Sequence, residues 1–161
     1  MGEMNMRLGP VVIASLTVSL LAFAADPLSG TWKINIEKSK LSDPARWKDA
    51  VAIIESHGDG FRQTMVRTTP DGKTTKSTSV ISYDGKDTPV EGRPGDSTTA
   101  QRIDSFHLRI VYKSNGKQTG VLESTISPDG KTVTDTFKGI GRSGKPLDEI
   151  RVYDKQSDTA K

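Results

Sequence analysis

The sequence predicts an all-β domain: an antiparallel up-and-down meander, about 8–10 strands long, curled into a barrel. Two observations carry this. The first is a recurring turn: Asp71-Gly72-Lys73, Asp84-Gly85-Lys86 and Asp129-Gly130-Lys131 are near-identical. Asn115-Gly116-Lys117 and Ser143-Gly144-Lys145 vary the theme, and Asp59-Gly60 shortens it. Gly supplies positive φ, and Asp or Asn tolerates the left-handed region while bonding its own backbone, so these are hairpin signals. Apart from the wide gap between Gly85 and Gly116, they recur every ~12–15 residues, the length of one strand and one turn. The second is alternation between the turns, with period two and one wet face, as expected of antiparallel strands around a single core.

Taken in order, the strands are expected near 30–36, 50–56, 61–68, 75–83, 87–91, 97–103, 106–113, 118–127 with 132–139, and 147–153. Trp32, Ile34 and Ile36 share one face of the first, against Thr31, Lys33 and Asn35. Phe106, Leu108, Ile110 and Tyr112 oppose His107, Arg109 and Lys113. Val133, Asp135 and Phe137 oppose Thr132, Thr134, Thr136 and Lys138. The stretch from Ser39 to Asp49 breaks the pattern. Ser42-Asp43-Pro44 has the form of a helix start, so a short helix or turn is expected after the first strand, with Trp47 tucked against the sheet. A sandwich is the alternative architecture, but regular hairpin spacing favours the barrel.

The first 25 residues have the three parts of a secretory signal. Arg7 supplies the positive region, and a start at Met4 or Met6 would remove the irregular Glu3. An apolar run from Val11 to Phe23 follows, and Ala22-Phe23-Ala24 places small residues at the cleavage positions. The run is shorter than the roughly 20 residues a membrane helix needs. The expected organisation is a cleaved signal at 1–24, one domain at 25–154 and a polar tail at 155–161. The product is periplasmic or secreted, with no stable membrane anchor after cleavage.

Composition narrows function further. Hydrophobic content is 33% and aromatic content 6%, and much of the apolar share lies in the signal. The 23 basic and 20 acidic residues leave a net charge of +3, and the two signs are interspersed. No Lys/Arg stripe with stacking aromatics is present, so no nucleic-acid partner is expected. The chain has no cysteine, which excludes disulfides, thiol catalysis and Cys-type zinc sites. Without covalent staples, closing the sheet is an attractive way to protect its edges.

The start of the mature chain, LSGTWKINIEKSKLSD, and the later YDGKDTPVEG and SPDGKTVTDTFKG resemble small bacterial exported lipocalin-like (calycin-type) proteins. The ending Val152-Tyr153-Asp154-Lys155 is similar to the same group. The resemblance implies a lipocalin-like barrel that binds a small apolar molecule. It also implies that Trp32 packs at the closed end, with a basic residue of the last strand lying across it. Arg151 is the candidate for that residue and Arg142 the runner-up. The long C-terminal helix of typical lipocalins has no counterpart here.

No catalytic, metal or cofactor motif emerges. His57 and His107, the only histidines, fall at a turn and on a wet face. A GxSxG sequence is absent, and EGRPGD lacks the lysine of a phosphate loop. That loop, residues 88–97, would make a lid at a barrel mouth. Glu123, Asp135 and Glu149 fall within strands. Asp135 stands out because it shares a face with Val133 and Phe137; it is either matched by an arginine or a polar group inside a cavity. Phe61, Met65, Ile81, Tyr83, Phe106, Tyr112 and Phe137 are expected to point inward with it, as core or as cavity lining. The function expected is therefore non-enzymatic binding of a small, mostly apolar ligand, without metal or cofactor. The alternative is an envelope interaction or inhibitor module acting through loops or a strand edge. The sequence leaves the oligomeric state open.

Overall fold

A computed structural model describes residues 26–42, 47–141 and 144–157. The signal segment 1–24, residues 43–46 of the expected helix or turn, the alternative residue Arg142 and the end of the tail lie outside the described residues.

Ten strands form one antiparallel sheet: β1 (Gly30–Ile34), β2 (Asp49–His57), β3 (Gly60–Thr68), β4 (Thr74–Ser82), β5 (Asp87–Pro89), β6 (Asp96–Arg102), β7 (His107–Ser114), β8 (Lys117–Ile126), β9 (Thr132–Ile140) and β10 (Pro146–Lys155). Their order, β4-β3-β2-β1-β10-β9-β8-β7-β6-β5, is an up-and-down meander in which β10 returns to β1. Trp32 is opposite Lys155 and Ile34 opposite Tyr153 in that junction. The ends of the sheet, β4 and β5–β6, come together without a ladder, so the barrel is nearly closed. After β1 the chain makes a turn at residues 36–38. The connector then bridges to β10 through Lys40 and Ile150.

Local chemistry explains the hairpins. Asn115 and Gly116 both have positive φ, 48° and 75°, as a two-residue turn between β7 and β8 requires. Asp129 accepts from its own Ser127 hydroxyl at 2.6 Å and from the Lys131 amide at 3.1 Å, which fixes the β8–β9 turn. Pairing then propagates over nine residue pairs between β9 and β10. A register shift at Tyr112/Lys113 interrupts the β7–β8 ladder and leaves Thr119 Oγ1 donating to the Tyr112 carbonyl.

The core is lopsided. Phe61, Ile81, Leu108, Ile126 and Val133 fill the end where the chain enters. Leu28 closes that end from below, and Trp32, 1% exposed, donates its indole N–H to the Leu28 carbonyl at 2.8 Å. The Arg102 guanidinium ties the N-terminal segment down through Asp26 at 2.7 Å. The opposite end, around residues 35–42, 47–48, 69–73, 90–95, 141 and 144–145, is the mouth. The loop expected at 88–97 is narrower, residues 90–95 between β5 and β6, and lies there; the Asn115 amide donates to its Gly95 carbonyl at 2.7 Å.

Candidate functional site

Toward the mouth the inward positions change character. β3 turns Gln63, Met65 and Arg67 inward, paired with Ser79, Ser77 and Thr75 of β4. The two last-named are exposed although they face the barrel axis. Gln63, Met65, Tyr112, Asp135, Phe137 and Arg151 are all half-buried. The inward positions of this half are therefore less completely covered than those of the apolar end.

The inner wall of this half combines aromatic rings with buried charge. Tyr112 and Phe137 pack edge to face, 5.9 Å between centroids. Room for Phe137 comes from Gly120 across the ladder, where a Cβ would lie 2.7 Å from its ring. The Arg151 guanidinium sits 4.8 Å from the Phe137 ring centre and 5.3 Å from that of Trp47. Arg67 stacks on Trp47 at 4.3 Å. Cations over aromatic faces in a partly desolvated site are favourable. Trp47 is brought there by the connector before β2, and its expected packing against the sheet is what the structure has.

Two carboxylates face this wall. Glu149, 1% exposed, accepts from Arg151 Nε at 2.9 Å and Nη2 at 2.6 Å, both on Oε2. Its Oε1 has no hydrogen-bond partner, and neither has the buried Trp47 Nε1. Orphaned buried polar atoms are costly, and ligand or water contact is the usual reason they persist. Asp135 lies opposite Arg151 in the β9–β10 ladder and accepts a short hydrogen bond from Ser124 of β8. Burial raises its carboxyl to about 6, against the lowering pull of Ser124 and Arg151. Burial likewise pushes the Tyr112 phenol up to about 12, and raises that of Tyr153.

The structure sorts the sequence-predicted residues into three groups. Met65, Tyr112, Asp135 and Phe137 share the inward face in the mouth-side half of the barrel. Phe61 and Ile81 are filled core at the closed end. Tyr83 packs on Phe61 at the edge of that core, 5.8 Å between ring centres, and with Phe106 it borders an open groove of about 730 Å³ at the closed end, beside Asp26, Arg102 and Ser105. Phe106 is a correction. It precedes β7, is 37% exposed, and is held in a turn by Asp104, whose carboxylate accepts its amide at 2.7 Å. The alternation had been carried one residue too far.

Arg151 is the second correction. The cation over Trp32 is Lys155, 5.0 Å from the ring centre, because Lys155 is the residue registered against Trp32. Arg151, two same-face steps away, serves the mouth. The sequence reading missed Glu149, Trp47 and Arg67 as wall residues. Glu149 could have been found, since it shares the inward face with Arg151 and Tyr153 at period two.

His107 is exposed and pairs with Asp104 at 2.8 Å. Among the described residues no group of three His, Asp or Glu side chains converges as a metal site would require.

This architecture is an all-β, nearly closed barrel of ten antiparallel strands, lipocalin-like in fold. Three solved structures show the likeness. A zebrafish ileal bile acid-binding protein, complexed with cholic acid, aligns with TM-score 0.51 at 16% identity over 81% of this chain and 99% of its own. As-p18, an extracellular fatty acid binding protein, aligns with TM-score 0.52 at 15% identity over 81% and 97%. A mutant of the fluorescent protein UnaG aligns with TM-score 0.53 at 16% identity over 82% and 98%. No family model and no curated protein matches the sequence.

Proposed function

We propose that this protein is a non-enzymatic carrier of a small, mostly apolar molecule, held inside the barrel and entered from the mouth. The observation that carries the reading is the half-buried state of inward Gln63, Met65, Tyr112 and Phe137 above a filled apolar floor. A ligand's apolar body would rest toward Ile110 and Leu122 and its polar end would meet Arg151, Glu149 and Asp135. The bile-acid- and fatty-acid-binding neighbours add support at the level of the fold. The signal-like segment at 1–24 supports action in the periplasm or outside the cell.

Native mass spectrometry of protein exported to the periplasm tests both parts. The expected result is a chain shortened by the signal and carrying a retained small molecule. An unshortened chain would overturn the export reading. An empty chain that also fails to bind the neutral dye Nile red would overturn the carrier reading.

A further inference from the structure

We propose that Asp135 makes the cavity selective for amphipathic molecules whose polar end donates hydrogen bonds, an alcohol or a protonated amine, over carboxylic acids of the same apolar shape. This rests on the carrier reading and specifies its ligand.

Asp135 occupies an inward position between Val133 and Phe137, where alternation calls for an apolar side chain. One of its oxygens accepts from Ser124. Among the described residues no cation forms an ion pair with it, and its other oxygen accepts no hydrogen bond. The nearest cation across the ladder, Arg151, is already engaged, with Nε and Nη2 both on Glu149 Oε2. Glu149 Oε1 adds a second acceptor without a donor, buried beside the same guanidinium. A ligand carboxylate brings no hydrogen to either oxygen. It would meet the like charge of Asp135, and the cation it would turn to, Arg151, already has two of its N–H groups on a buried carboxylate. A hydroxyl or ammonium group satisfies an acceptor on arrival.

The groups facing Asp135 give the selectivity a pH dependence. They are Arg151, itself held by Glu149, and Tyr153 on β10, Ser124 on β8 and Tyr112 on β7; Arg67 on β3 acts on both tyrosines and Arg93 on Tyr112. With its carboxyl near 6, Asp135 is charged above that pH and neutral below it. Preference for donor ligands therefore strengthens as pH rises through about 6, and acids gain as pH falls.

The test is displacement of Nile red by decylamine, decanol and decanoate, at about pH 8 and about pH 5, which bracket the Asp135 titration. At the higher pH the amine and the alcohol should displace at roughly tenfold lower concentration than decanoate, the scale of one pKa unit of interaction. The gap should narrow at the lower pH. It should close in Asp135→Asn and persist in Ser124→Ala, which keeps the carboxylate. The wild-type pH comparison needs no variant to fold. Decanoate competing best at the higher pH, or an order unchanged by Asp135→Asn, would overturn the proposal while leaving the carrier reading intact. Absence of dye binding would remove both.

Discussion

The same strands build both ends of this barrel, and the two ends differ. At the closed end Trp32, Phe61, Ile81, Leu108 and Ile126 are packed to exclusion of water. Toward the mouth the inward positions of those strands hold Met65, Tyr112, Asp135, Glu149 and Arg151, all but Glu149 half-buried. Period-two alternation sets which face a side chain takes; it does not set whether that face is filled. Filling depends on side-chain volume and polarity at each level of the barrel. The charged residues of the upper level cost stability, as functional sites commonly do.

Removing a piece of the closed end should have the largest effect. Trp32→Ala takes out a fully buried ring and its hydrogen bond to Leu28, so a loss of about 3–5 kcal/mol is expected in urea unfolding. A loss under about 1 kcal/mol would mean this end is not the stable half.

The opposite sign is expected in the upper half. The Asp135 carboxyl titrates near 6 in the folded chain, against roughly 4 unfolded. The folded state thus binds the proton more tightly, and stability falls as pH rises from about 4 to about 6. Asp135→Asn should stabilise the protein by up to ~3 kcal/mol at about pH 8, with the advantage gone below about pH 4. Thermal unfolding across that range checks it.

Smaller effects sharpen the boundary between the halves. Gly120→Ala places a Cβ against the Phe137 ring, and should cost about 1–3 kcal/mol by overpacking. The displaced ring would also weaken Nile red binding, which fluorescence titration measures. Lys155→Met removes the cation over Trp32, and should cost about 0.5–1 kcal/mol while leaving dye binding unchanged.

Much of the fold was legible because its signals are local. Each Asp-Gly or Asn-Gly turn marks a hairpin, and the strands between them fall where alternation puts them. The wall of the site was only half legible, because it depends on register around a closed circuit. Nothing local tells whether Lys155 or Arg151 is set against Trp32; that follows from the β1–β10 pairing at Ile34 and Tyr153. Phe106 was misplaced because the side chain of Asp104 ends the strand pattern there. Asp135 was singled out from sequence since a charge broke an apolar face. Glu149 and Trp47 draw their significance from each other's surroundings across 101 intervening positions, which no window in the sequence spans.

The protein has two tryptophans, one in each half. The Trp32 indole N–H is bonded to Leu28, and that of Trp47 is buried without a partner at the mouth. Titrating decanol into isotopically labelled protein and following the two indole N–H signals by NMR tests the division directly. The Trp47 signal should move with saturation while the Trp32 signal stays. A moving Trp32 with a stationary Trp47, or two stationary signals while decanol displaces Nile red, would contradict it.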